Sequence, residues 1–240
     1  MHYLKAVARC LLDGVSRAPS HYRDIRRHHS LAQERDAAFR AYRNHPFLGL
    51  HIGAEFYVLE NWFNTDLEPQ KPGIYYIDAN QPLPFPSHSF SFVFSEHMIE
   101  HISLLAGVRF FAECRRVLKP SGVIRIATPN LRNIVALLSN HDEDSLKYLD
   151  WALEFSRLPR DPFPKAPLVV NNFFRSWGHQ FIYEPETMKI ALQEAGFGEI
   201  TQMPVGVSRH APLVGLERHG NTIGDWVNEF ETMVFEAVAP

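Results

Sequence analysis

The sequence predicts an α/β fold built on a doubly wound, mostly parallel sheet. From Phe47 onward short apolar runs alternate with helix-patterned stretches, the sign of strands joined by crossover helices. FSFVFS, LLAGVRFFAECRRVLK and VIRIAT follow one another as strand, helix and strand, an order that demands a right-handed βαβ unit. Two further strand-like runs, EITQMPV and FETMVFEAV, close the chain and suit an antiparallel edge pair.

Five strands are expected before that pair: 47–52, 62–67, 73–78, 90–95 and 123–128. Between the last two, Leu105, Val108, Phe111 and Ala112 recur at three- and four-residue steps, marking them as the buried helix face. Lys119, Pro120 and Gly122 end that helix. Residues 139–178 break the rhythm: HDEDSLKYLDWALEF reads as a helix, and RLPRDPFPKAP as a proline-rich loop that cannot join a ladder. This stretch is an expected lid inserted over the sheet. YEPETMKIALQEAGF then reads as a helix, with Pro185 in its first turn, Met188, Ala191, Leu192 and Ala195 inward, and Gly196 as its stop.

Composition narrows the class. The chain has 240 residues, 45% hydrophobic, with two cysteines and a net charge of -3. That supplies a large core but neither a disulfide framework nor a cysteine zinc site, so a reducing, cytoplasmic location is expected. Lys5, Arg9 and Asp13 interrupt the apolar stripe of the N-terminus, unlike a signal peptide. No window of 18 uncharged apolar residues offers a membrane span. Residues 1–45 carry an excess of about five positive charges and read as a basic helical arm, either solvated or drawn to an anionic partner such as RNA. Residues 46–240 form the expected main domain.

In a doubly wound sheet the ligand lies beyond the carboxyl ends of the strands. There the chain places Gly53-Ala54-Glu55, then Asp66, then Asp78-Ala79, then Ser95-Glu96. A small residue after the first strand lets a ligand approach the backbone, and an acid ending the second can accept both hydroxyls of a ribose. The spacing suits a nucleoside.

On LHIGAE, NTDLEP, DANQPLPFPSHSFSFVFSEHMIEH, RRVLKPSGVIRIATPN and GHQFIYEPETMKIALQEAGF, the chain from about His51 onward resembles the class I S-adenosylmethionine-dependent methyltransferases, and among them the bacterial methyltransferase-domain proteins. The resemblance implies a Rossmann-like sheet and S-adenosylmethionine as cofactor. It puts Gly53 and Ala54 under the methionine moiety, with Glu55 next to them in the cofactor site, Asp66 with Leu67 at the ribose, Asp78 with Ala79 at the adenine, and Ser95 and Glu96 at the methionine end. Two positions depart from the family pattern of acid-x-Gly-x-Gly: His51 stands for the acid and Glu55 for the second glycine.

SEHMIEH, residues 95–101, holds His97, Glu100 and His101 in the order H-x-x-E-H, in isolation a zinc-peptidase signature. In ubiquinone-pathway and small-RNA methyltransferases the matching E-x-x-E-H holds a divalent ion, which implies a metal set of His97, Glu100 and His101 here, with His179 as a fourth ligand. The same stretch alternatively supplies a general base, His101 or His179, or only structural histidines. The peptidase motif needs a continuous helix, whereas FSFVFS in front of it has a strand's composition.

The expectation is an S-adenosylmethionine-dependent methyltransferase acting on the oxygen of a small hydroxylated metabolite or glycan in a biosynthetic pathway. RNA is the second acceptor class. A metal-dependent hydrolase and a non-catalytic binding module of the same fold are the alternatives. Trp151, Phe173, Phe174 and Trp177 are expected to line the acceptor pocket or to form lid core.

Overall fold

The computed structural model describes residues 18–159 and 161–240. The chain divides into two compact units, Met1–Asn44 and His45–Pro240. In the first, helix α1 spans Ala18–Tyr42. It covers most of the segment read as a basic helical arm; residues 1–17 of that segment lie outside the described residues.

The second unit is built on one seven-stranded sheet. Its strands are β1 (Gly49–Ile52), β2 (Trp62–Asp66), β3 (Ile74–Tyr76), β4 (Phe90–Glu96), β5 (Leu118–Pro129), β6 (Gly198–Met203) and β7 (Thr232–Val238), in the order β3-β2-β1-β4-β5-β7-β6. The first five are parallel; β7 lies antiparallel between β5 and β6. All four residues of β1 are buried, as are six of the seven in β7, the signature of strands covered on both faces. Chain order reverses between β1 and β4, where Ile52 pairs with Ser95, so the switch point falls where the sequence placed its ligand-facing residues.

Helix α2 (Leu104–Val117) provides the β4-to-β5 crossover and is capped by Ser103, whose hydroxyl accepts the Ala106 N–H. Its buried face differs from the expected one. Phe111 is buried, but Ala106, Gly107, Phe110, Cys114 and Val117 complete the face, while Leu105 is 73% exposed. Periodicity gave the helix but not its phase, which is set by the surface the helix packs on.

The lid stretch holds more helix than expected. After α3 (Leu131–Ala136) come α4 (Glu143–Phe155), capped by Asp142, and α5 (Lys165–Arg175). The proline-rich loop therefore ends at Pro164: Pro167 occupies the first turn of α5, where no intrahelical N–H is missed. Tyr148, Leu149 and Leu153 of α4 pack with Val169 and Phe173 of α5 and with Ile134. Helix α6 (Pro185–Glu194) buries Met188, Ala191 and Leu192 and stops at Gly196, φ +87°. Between β6 and β7 lie two short helices, α7 (Gly220–Ile223) and α8 (Asp225–Glu231). Among the described residues no helix is long and apolar enough to cross a membrane.

Candidate active site

A cavity of about 610 Å³ opens at the carboxyl ends of β1 to β4 and runs under the lid. At one end are Gly53, Ala54, Glu55, Asp66, Leu67, Asp78 and Ala79. Gly53 has φ +78°, and a Cβ there would fall 2.7 Å from Met98 Cβ, so this turn excludes a side chain. Asp66 is fixed by two backbone donors: the Glu55 N–H reaches Oδ2 at 2.7 Å and the Glu68 N–H reaches Oδ1 at 2.8 Å. Each oxygen keeps a second lone pair for a ligand hydroxyl. Asp78 caps its own turn through the Asn80 N–H and lines the same end.

The two departures from the family pattern have physical consequences. Burial pushes His51 down to about 4, against the opposing hydrogen bond to Asn64 and the charge of Asp66, so a neutral imidazole stands where the family has an acid. Glu55 sits at φ +49°, a left-handed conformation natural to the glycine it replaces. Its carboxyl is raised by burial and by Asp66, with His219 opposing.

Ser95 and Glu96 differ from their expected roles. Phe94 and Glu96 line the cavity, whereas Ser95, between them, is buried on the opposite face of β4, as strand alternation requires. Glu96 is committed to the protein: its oxygens accept the backbone N–H groups of Arg218 at 2.8 Å and His219 at 3.0 Å. Those residues belong to a strap, 204–219, tied from beneath by Arg125. This fully buried guanidinium pairs with Glu217 and Glu236 and donates to the Val207 carbonyl.

The H-x-x-E-H residues begin just after β4 and end in a single 3-10 turn, Ile99–His101, rather than lying on a helix. They consequently face two ways. His97 Nε2 lies 3.0 Å from Thr232 Oγ1, whose proton goes to Asn228, so Nε2 is the donor there. Its Nδ1 is 3.3 Å from Glu100 Oε1, and its ring stacks on His219 at 3.9 Å. With both nitrogens engaged by protein, His97 stands apart from a metal set with Glu100 and His101. Burial lowers the affinity of His97 for a proton, yet Glu100, then Glu231 and Glu96, outweigh it and raise the pKa. Burial acts on Glu100 in the opposite sense and is overcome by His97 and then His101, which hold the carboxyl below its usual range. The two are a buried imidazolium–carboxylate pair.

Glu100, His101 and His179 form a second group, with ligand atoms within 4.8 Å of one another. The ring of His179 lies 5.1 Å from that of His101. Its Nδ1 is 2.7 Å from the Phe173 carbonyl, which only accepts, so Nδ1 carries the proton and the neutral ring keeps its lone pair on Nε2. Burial lowers the His179 pKa, against Glu100 and the Phe173 carbonyl.

At the far end Trp151, Phe155, Leu158, Val169, Phe173 and Trp177 line the cavity. Phe174, 48% exposed, is not among the lining residues. Sequence reasoning missed His219, Glu231 and Tyr148, which also line it. His219 Nε2 is 3.6 Å from Glu231, which accepts from the Tyr148 hydroxyl. Nothing local marks them, since each belongs to a different element and they meet only in the folded chain.

A switch-point cavity with a glycine turn and two strand-end acids has the form that suits a nucleoside-bearing ligand. Residues 50–126 match the family described as a methyltransferase domain. Among solved structures, an S-adenosylmethionine-dependent methyltransferase from Archaeoglobus fulgidus aligns at 15% identity over 87% of this chain and 93% of that one, TM-score 0.49. One from Mesorhizobium loti aligns at 15% over 84% and 96%, TM-score 0.48. Phosphoethanolamine N-methyltransferase 2 of Haemonchus contortus aligns at 15% over 81% of this chain and 49% of that one, TM-score 0.41. No curated protein matches. The match places a methyltransferase domain over residues 50–126, from β1 into β5, and S-adenosylmethionine is the cofactor the site has to fit. The residues at hand fit that cofactor: the Gly53 turn leaves room for it, and Asp66 has hydroxyl-accepting capacity to spare.

Proposed function

We propose that the protein methylates an oxygen of a small hydroxylated molecule, with His179 taking the proton. The observation that carries this reading is the His179 tautomer: Nδ1–H is held by the Phe173 carbonyl, leaving Nε2 basic in the cavity beside His101. S-adenosylmethionine supplies an electrophilic sulfonium methyl. That methyl would go to the acceptor oxygen with the sulfur as leaving group, and His179 would take the hydroxyl proton. Gly53, Ala54 and Leu67 would seat the methionine and ribose, with Asp66 binding the ribose hydroxyls and Asp78 with Ala79 at the base. Glu96 acts at one remove, by holding the strap. The protein's task is to bring oxygen and methyl to near-attack distance and to exclude water.

His179→Ala is expected to lower kcat by about 10²-fold or more, with S-adenosylmethionine affinity retained. His101→Ala should weaken turnover less. Unchanged turnover in the His179 variant would discard the base assignment.

A second reading is favoured by one observation: Glu100, His101 and His179 bring a carboxylate oxygen and two ring nitrogens within 4.8 Å of one another. These two imidazoles and a carboxylate suit zinc or cobalt better than magnesium. The ion would acidify an acceptor hydroxyl bound to it. Turnover lost in chelator and restored by Zn²⁺ supports it; turnover indifferent to chelator leaves the metal-free base.

A further inference from the structure

The lid end of the cavity bears on what the acceptor is. Of the lining residues between Tyr148 and His179, none is charged. The polar groups there are spent on one another or on the core. Asn172 donates to Ser156 Oγ and accepts from Ser176, and the Tyr148 hydroxyl is given to Glu231. Among the described residues, His101 and His179 are the imidazoles placed at this end to meet a hydroxyl.

Over the whole cavity the charge is acidic. Glu55, Asp66, Asp78, Glu96, Glu100 and Glu231 line it, no lysine does, and the single arginine, Arg218, spends one guanidinium nitrogen on the Gly215 and Glu217 carbonyls. An anionic acceptor would lose its hydration facing six carboxylates against one partly committed guanidinium. A glycan would bring many hydroxyls to a wall that has few donors or acceptors left.

The wall itself is aromatic. Trp151 stacks on Phe155 at 4.9 Å and 20°. Phe173, Trp177 and His179 meet pairwise at 5.5 to 5.7 Å. Trp177 is 51% exposed and held at φ +58°, a left-handed conformation costly for a bulky residue. Its indole lines the cavity, where a ligand can reach it.

We infer that the acceptor is an uncharged, planar aromatic alcohol whose ring packs on Trp151 and Trp177 while its hydroxyl meets His179. This rests on the methyl-transfer reading and replaces the glycan by a phenol-like class. Trp177 is then a specificity-determining residue.

Calorimetry with 2-naphthol, decahydro-2-naphthol, maltose, tyramine and 2-naphthyl phosphate, each with and without S-adenosylhomocysteine, tests it. Binding of 2-naphthol about tenfold tighter than its saturated analogue is expected, with no heat from maltose or the phosphate ester. Trp177→Ala should weaken 2-naphthol about tenfold with S-adenosylhomocysteine binding unchanged, and Trp177→Phe should restore most of the loss. Maltose, tyramine or the phosphate ester binding as tightly as 2-naphthol would overturn the proposal. So would an unaltered 2-naphthol affinity in Trp177→Ala. If 2-naphthol binds selectively while S-adenosylhomocysteine does not, the acceptor class stands and the methyl-transfer reading falls.

Discussion

Replacing Glu100 by Gln removes one charge from a site with no solvent to compensate. Glu100 is 0% exposed; one oxygen accepts from Thr128 at 3.0 Å, and the other faces His97 at 3.3 Å. Gln keeps the shape and the Thr128 contact but leaves the His97 imidazolium unpaired. Breaking a buried pair from one side costs about 3–5 kcal/mol, and the lower figure applies because His97 can shed its proton. The pH dependence follows from the two shifts. His97 is raised, so its contribution is complete below its ordinary 6.5 and is lost as pH rises through the higher folded value. Glu100 is lowered, so its contribution is complete above 4.5 and is lost as pH falls through the lower folded value. The pair is worth most between 4.5 and 6.5. Urea unfolding of wild type and Glu100→Gln, with chelator present, should give a difference of about 3 kcal/mol near pH 5.5, shrinking at alkaline pH. At about 2–4 °C per kcal/mol, the melting temperature should fall by roughly 6–12 °C at the acid end. A penalty under about 1 kcal/mol, equal at both pH values, would refute the ion pair.

Three further outcomes are expected. The lowered His179 pKa means that kcat should fall with acidification only below pH 6.5, as the base becomes protonated; a pH–rate profile whose acid limb lies above that value contradicts it. Gly53→Ala should weaken S-adenosylmethionine binding by about tenfold, because left-handed φ costs a non-glycine residue about 1–2 kcal/mol, and its Cβ also meets Met98 at 2.7 Å; calorimetry reads this directly. Arg125→Met strands Glu217 and Glu236 in the interior and should destabilise by about 3 kcal/mol or more, measured by thermal unfolding. If the variant melts like wild type, the strap does not depend on that anchor.

The central fold was legible because parallel strands buried on both faces are apolar runs with abrupt ends. The residues at those ends, Gly53, Asp66 and Asp78, could be read by position, and the cavity gathers all three. What escaped was set by tertiary placement. Helix α5 was hidden by the prolines before it, which are compatible with a helix start. The phase of α2 depended on the sheet beneath, so Leu105 came out exposed. The heptad was ambiguous because a helix would put His97 and His101 on one face, whereas the strand end and 3-10 turn part them. His97 then stacks on His219, and His101 joins His179. His219 itself carries no local signal; the Glu96 carboxylate that seats it lies 123 residues earlier in the chain.

The account turns on whether the tips of β1 to β3 grip an adenosyl ligand through Asp66. Calorimetric titration of S-adenosylmethionine into the wild-type chain and into Asp66→Ala measures that grip. Saturable one-to-one binding is expected in the wild type, weakened by about 10²-fold in the variant, as two charge-assisted hydrogen bonds of about 1.5–3 kcal/mol each are lost. No binding by wild type, or equal binding by both, contradicts it.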